Sequence, residues 1–218
     1  MKIKRFISPA ILFTVFIIYT LVIKNVDVKA IGPLDSSVGF ASVNGFFAGI
    51  FKYNDFFYYL TKIVALFSFM YIGGFALYGL ISLIKKKNFA KVDFAIYGMG
   101  VTYAITVLFY LMFEIVVINY RPVLDEGELE ASFPSSHTML AVSVFGSAIV
   151  YAIYRIENET IRTSMVIVSS VFAITMALGR MISGVHWFTD ILGGILLGCA
   201  IVSLYLAFVQ CIDNKERD

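Results

Sequence analysis

Long apolar runs separated by short polar stretches organise this chain. A helix needs about 20 mostly apolar residues to cross a bilayer. Six stretches reach or approach that length: Phe6–Ile23, Ile63–Ile84, Phe94–Ile118, Met139–Tyr154, Ser164–Ile182 and Phe188–Val209. The fourth is the shortest, and the fifth carries Arg180 near its end. The pattern predicts an all-α bundle of six transmembrane helices, with residues 1–218 forming a single integral membrane domain. An even number of crossings puts both termini on one side. There is no internal repeat, Gly-rich phosphate loop or CxxC pair.

Between the first two runs, Ala30–Leu60 is too polar to cross but dense in rings, from Phe40 and Phe46 through Phe56, Tyr58 and Tyr59. Aromatic side chains favour the headgroup level, where a ring is half buried and a hydroxyl stays wet. This segment is expected to be an interfacial helical segment on the extracytoplasmic face. A re-entrant hairpin is the competing reading.

Composition narrows the class further. Hydrophobic residues make up 60% of the 218 and charged residues 15%, against roughly 45–50% and 25% in soluble domains. A soluble enzyme of this size could not hide so much apolar surface, and disorder requires the opposite composition. A net charge of +2 gives no reason to expect a nucleic-acid partner. Cys199 and Cys211 lie twelve helical residues apart, about 18 Å, which is too far for a disulfide.

Positive charge orients the bundle. With the N-terminus inside, eleven basic residues fall on the inner stretches: Lys2, Lys4, Arg5, Lys85, Lys86, Lys87, Lys91, Arg155, Arg162, Lys215 and Arg217. Six fall outside: Lys24, Lys29, Lys52, Lys62, Arg121 and Arg180. Both termini are therefore expected in the cytoplasm. Lys2, Lys4 and Arg5 before an apolar run also suit a secretory signal, but the run is long for one and no A-x-A site follows. An uncleaved first helix is expected.

Polar groups beside membrane helices are costly and mark function by default. Three clusters stand out: Asn119-Tyr120-Arg121-Pro122; Phe133-Pro134-Ser135-Ser136-His137-Thr138; and Gly179-Arg180 with Ser183, Gly184, His186 and Asp190. The predicted topology brings all three to one membrane face. His186 and Asp190 are spaced i, i+4, so on a helix the carboxylate could hold Nδ1–H and leave Nε2 free. Arg180 needs a turn at Ser183-Gly184 to come round to them. Arg121 and Arg180 offer forked donors suited to a phosphoryl group. Ser135, Ser136 and the amides opening the fourth span add neutral donors.

These clusters resemble the type-2 phosphatidic acid phosphatase family, which shares its core with vanadium haloperoxidases. The family pattern is K-x6-R-P, P-S-G-H and S-R-x5-H-x3-D. This chain has Glu114-x6-Arg121-Pro122, Pro134-Ser135-Ser136-His137 and Gly179-Arg180-x5-His186-x3-Asp190. The resemblance implies phosphoryl transfer that needs no metal and no cofactor. His186 would be the nucleophile, Asp190 its stabiliser, and His137 the acid and then the base. Arg121, Arg180, Ser135 and Ser136 would hold the phosphate. It further implies a membrane lipid phosphate as substrate: polyprenyl diphosphate, phosphatidylglycerophosphate or phosphatidate. The setting would be a bacterial plasma membrane, with the active site on its extracytoplasmic face.

Three positions depart from the pattern. Ser136 and Gly179 are mild changes, but Glu114 replaces a lysine, and an ionised carboxylate repels phosphate. Glu114 lies about two helical turns before Arg121. It is expected to pair with Arg121 or Arg180, or else to meet a cation on a substrate as a modulator. Asp125, Glu126, Glu128 and Glu130 read as a solvated loop. Gly194 and Gly198 read as a helix-packing pair. Besides a lipid phosphatase, the pattern admits a phosphotransferase acting on a non-water acceptor, or a silent lipid-binding relative.

Overall fold

Polar caps, rather than the edges of the apolar runs, set where several helices begin. The computed structural model describes residues 3–124 and 126–215. Lys2, Asp125, Arg217 and the side chain of Lys215, which entered the readings above, lie outside that description. Asn54 accepts a hydrogen bond from the Phe57 amide (3.2 Å), Asp93 from Ala95 (2.9 Å) and Asn158 from Ile161 (3.0 Å). Each satisfies an amide that the first helical turn leaves without a partner.

Seven α-helices result among the described residues: α1 (Ile7–Asn25), α2 (Ala41–Ile50), α3 (Asp55–Lys86), α4 (Phe94–Ile115), α5 (Ser136–Arg155), α6 (Glu159–Ile182) and α7 (Phe188–Lys215). All but α2 are long and apolar enough to cross a membrane. The chain is an integral membrane protein with an all-α, six-span bundle. Helices α3 and α6 start eight and five residues before the apolar runs at Ile63 and Ser164, because a capped polar first turn is invisible to hydropathy.

The interval read as one interfacial element is divided. Lys29–Ala30 pairs antiparallel with Ser37–Val38, α2 follows, and Asp55 already belongs to the spanning helix α3. At the other boundary, α4 stops at Ile115 with Val116 turned out of helical geometry. Asn119 to Arg121 therefore lie in a loop rather than closing the third span.

Helices α5 and α7 form the centre. Ala141, Val144, Phe145 and Ala148 of α5 and Leu197, Ala200 and Ile201 of α7 are almost wholly enclosed. A Cβ added at Gly198 would stand 2.7 Å from the Val142 side chain, and one at Gly194 would stand 2.7 Å from the Ser135 carbonyl oxygen. The two glycines thus let α7 lie close against α5, as the small-residue spacing predicts. Around this centre, α1, α3, α4 and α6 turn Ile18, Leu66, Phe69, Leu108, Leu111 and Ile174 outward, each more than half exposed. Without water to meet, such faces suit hydrocarbon.

Candidate active site

Three loops meet at the end of the bundle where α1, α4 and α6 finish and α3, α5 and α7 begin. Gly184 makes the decisive turn after α6. Its φ of +68° favours glycine, and a Cβ there would press on the Lys52 carbonyl and the Tyr53 amide at 2.7–2.8 Å. The Asn54 amide donates to the Ser183 carbonyl (3.1 Å), tying this turn to the start of α3. The turn brings Arg180 back toward His186, as its position in the sequence requires.

His186 lies in the turn, two residues before α7, so it does not share a helical face with Asp190. Its Nδ1 is 3.8 Å from Asp190 Oδ2, too long for a direct hydrogen bond. Ser132 fills the gap, a residue to which the sequence assigned no role. Its hydroxyl lies 3.1 Å from His186 Nδ1 and donates to Asp190 Oδ2. A hydroxyl has one proton. With that proton on the carboxylate, Ser132 accepts from His186 Nδ1–H, and Nε2 keeps its lone pair. Asp190 also accepts from the Trp187 amide (2.9 Å) and, more weakly, from Asn119 Nδ2 (3.5 Å). These three donors hold an enclosed carboxylate in place, which burial would otherwise penalise.

Burial, reinforced by the nearby charges of Arg180 and Arg121, holds the His186 imidazole well below its ordinary pKa of 6.5. It is therefore neutral at physiological pH. Its Nε2 is enclosed and has no hydrogen-bond partner among the described residues. The same holds for His137 Nδ1, Arg121 Nε, and Arg180 Nε and Nη1. His137 lies within electrostatic reach of Arg180, His186 and Arg121. Buried polar atoms are normally paired, so five such nitrogens on four residues within electrostatic reach of one another mark a candidate binding site.

The two arginines differ. Arg121 pairs with Glu130 at 2.9 Å, and its amide donates to the Glu130 carbonyl (3.0 Å). At least one member of the acidic loop is thus engaged rather than simply solvated. Arg180 is 1% exposed, has no carboxylate partner among the described residues, and stands 5.6 Å from the Tyr58 ring centroid. Ser135 is buried at the mouth of α5, its hydroxyl 3.0 Å from Thr138 Oγ1 and its amide donating to the Asp190 carbonyl. Ser136 is half-buried and borders two cavities.

Glu114 does not pair with either arginine. Because α4 ends one residue later, Arg121 leaves the helical face that the two-turn spacing assumed, and Glu130 takes the ion-pair position. Glu114 is exposed at the edge of the small cavity that Ser132 and Ser136 also border.

Two larger cavities adjoin the site. One, of about 280 Å³, is lined by Tyr53, Tyr58, Arg121, Val123, Leu124 and Val185. The other, of about 390 Å³, runs between α3, α4 and α5, with Ser136 and His137 at its head and Phe69, Val107, Leu111 and Leu140 along its walls.

The part of the chain that carries this polar end is similar to known membrane phosphatases. Residues 116–213, which hold all three clusters, match the family model of the PAP2 superfamily and bear out the resemblance drawn from them. Over 100 residues the chain is 29% identical to phosphatidylglycerophosphatase B of Bacillus subtilis (strain 168), a match covering 45% of this chain and 48% of that protein. Over 92 residues it is 26% identical to the lipid phosphate phosphatase delta of Arabidopsis thaliana, covering 41% and 22%. The matches thus span half or less of these relatives. Among solved structures, the transmembrane PAP2-type phosphatidylglycerolphosphate phosphatase from Bacillus subtilis shares the fold. Its TM-score is 0.64 at 19% identity, over 95% of this chain and 96% of that one.

Proposed function

We propose that this chain is an integral membrane lipid phosphatase that hydrolyses a phosphomonoester or diphosphate through a phosphohistidine on His186. The observation that carries this reading is the His186–Ser132–Asp190 relay. It leaves Nε2 unprotonated and unpaired among guanidinium donors. In the first step Nε2 would attack phosphorus, forming a P–N bond as the ester P–O bond breaks, while His137 gives a proton to the departing oxygen. In the second, His137 would take a proton from water, whose oxygen displaces the imidazole and releases phosphate. A covalent intermediate splits one hard displacement into two. Arg121, Arg180, Ser135 and Ser136 would stabilise the charge on the phosphoryl oxygens in both. Asp190 would offset the charge gained by the imidazole, acting through Ser132.

The apolar cavity headed by His137 supports a substrate with a hydrocarbon tail. The basic residues gathered at the opposite end, above all Lys85, Lys86 and Lys87, support a cytoplasmic position for that end and for both termini. The site would then face the outer leaflet. Residues 1–218 would work as one domain.

The test is phosphate release from a panel of lipid phosphates in detergent with EDTA present, using His186→Ala as the blank and running each lipid with and without an alcohol acceptor. Release that is independent of acceptor and absent from the blank is expected. Release that requires the acceptor would make the protein a transferase. No release from any lipid, or activity lost to EDTA, would overturn the mechanism.

A further inference from the structure

A phosphate monoester dianion calls for about two positive charges not already neutralised by the protein. Arg121 is committed to Glu130, and Arg180 supplies one such charge. The lysine of the family pattern would have supplied another, but position 114 carries a carboxylate. A second cation nevertheless stands at the site, on a different helix. Lys62 lies four residues after Tyr58 on α3, hence on the same face. Its Nζ is 4.3 Å from the centroid of the Tyr58 ring, the ring that also faces Arg180.

Tyr58 and Arg121 together line the 280 Å³ cavity. One turn further along α3, Thr61 is fully buried against Gly179 of α6, next to Arg180, which fixes the approach of the two helices. Lys62 lies within electrostatic reach of His137. It is exposed, lies one residue before the apolar run that begins at Ile63, and has no carboxylate partner among the described residues. The neighbouring ring face offers it only a weak cation–π contact.

We propose that Lys62 is a phosphate-binding residue of this site, supplying from α3 the positive charge that the family pattern places where this chain has Glu114. This rests on the phosphatase reading. The ammonium reaches the phosphoryl oxygens from the Tyr58 side, across the cavity from Arg121. A flexible lysine stem suits the task, because it can leave the ring and follow the anion as a point charge.

The test uses the full chain in detergent, as wild type, Lys62→Gln and Lys62→Arg. It measures lipid-phosphate kinetics and the binding of inorganic phosphate, followed by thermal shift. Lys62→Gln is expected to raise both KM and the phosphate Kd about ten-fold, and to flatten their dependence on ionic strength, with an unchanged melting temperature in the absence of phosphate. Lys62→Arg is expected to stay within about three-fold of wild type. An active wild type whose Lys62→Gln variant binds phosphate and turns over equally well overturns this assignment and leaves the phosphatase reading standing. Equal losses in both variants, with lowered melting temperatures, would make Lys62 structural and also overturn it. A wild type that neither binds nor releases phosphate overturns the underlying reading itself.

Discussion

The two ends of the bundle each hold an enclosed arginine, and they treat it in opposite ways. At the end holding the α4 and α6 starts, Arg155 is caught between Asp93 (3.3 Å) and Asp213, two carboxylates from different helices. At the other end, Arg180 is more deeply buried, yet it faces the Tyr58 ring and has no carboxylate partner among the described residues. An arginine clamped by two acids fastens α5 to α4 and α7. Leaving a guanidinium buried without a counter-ion costs free energy that folding alone gives no reason to spend. The first end is thus tied together by ion pairs, and the second, on the proposed function, awaits a ligand that brings the missing negative charge.

The largest break in this comparison is expected at the histidines. His186→Ala and His137→Ala should each lower phosphate release by at least about a thousand-fold, since on the proposed mechanism one removes the nucleophile and the other the proton carrier. Their unfolding transitions in detergent should stay near wild type. Turnover persisting in both variants would end the assignment.

The arginines should then separate stability from binding. Arg155→Ala should cost on the order of 3 kcal/mol by stranding two carboxylates, while the KM of the folded protein stays near wild type. Arg180→Ala should weaken inorganic phosphate binding about a hundred-fold and leave stability intact or improved. Thermal unfolding and phosphate titration on the same two samples decide it, and an identical response from both arginines would erase the contrast between the ends.

A smaller effect is expected from Ser132→Ala. Removing the bridge should lower kcat by about ten- to a hundred-fold, in line with the loss of a charge-assisted hydrogen bond. The KM for lipid should move little, because Ser132 touches His186 and Asp190 and, on the proposed mechanism, not the substrate.

Acid should act chiefly on the site end, which holds both of the chain's histidines. The unfolded chain protonates His186 near its ordinary pKa of 6.5, while the folded site resists that proton. Its contribution to stability is thus complete above that pH and declines as pH falls below it. Wild type should lose stability between about pH 7 and 5 faster than His186→Gln does, and parallel curves would contradict the shift. The smallest effect is expected from Glu114→Gln, since Glu114 is exposed and has no ion-pair partner among the described residues, with stability within about 0.5 kcal/mol of wild type as read by denaturation in detergent.

Much of this was legible along the chain. Six apolar runs mapped onto six spanning helices, because hydrocarbon imposes one length and composition on anything that crosses it. The Gly194/Gly198 pair and the turn at Ser183-Gly184 could be read for the same kind of reason, since each reflects a local steric need. Ser132, Glu130 and Tyr58 could not. Ser132 sits beside two recognisable serines with nothing to set it apart, and it gains its place only when the loop before α5 folds over the start of α7. The pairing expected for Glu114 failed because it assumed that α4 ran on to Arg121.

What the residues determined alone is what solvent and spacing dictate: a helical membrane bundle with its costly polar groups gathered in three clusters. Which atom of His186 is held and which left open, which arginine is neutralised and which is not, and which helix stands a lysine beside the site were decided by the tertiary structure. Those properties depend on distances between segments far apart in sequence. A few ångströms separate a hydrogen bond from an empty contact, and no local pattern encodes them.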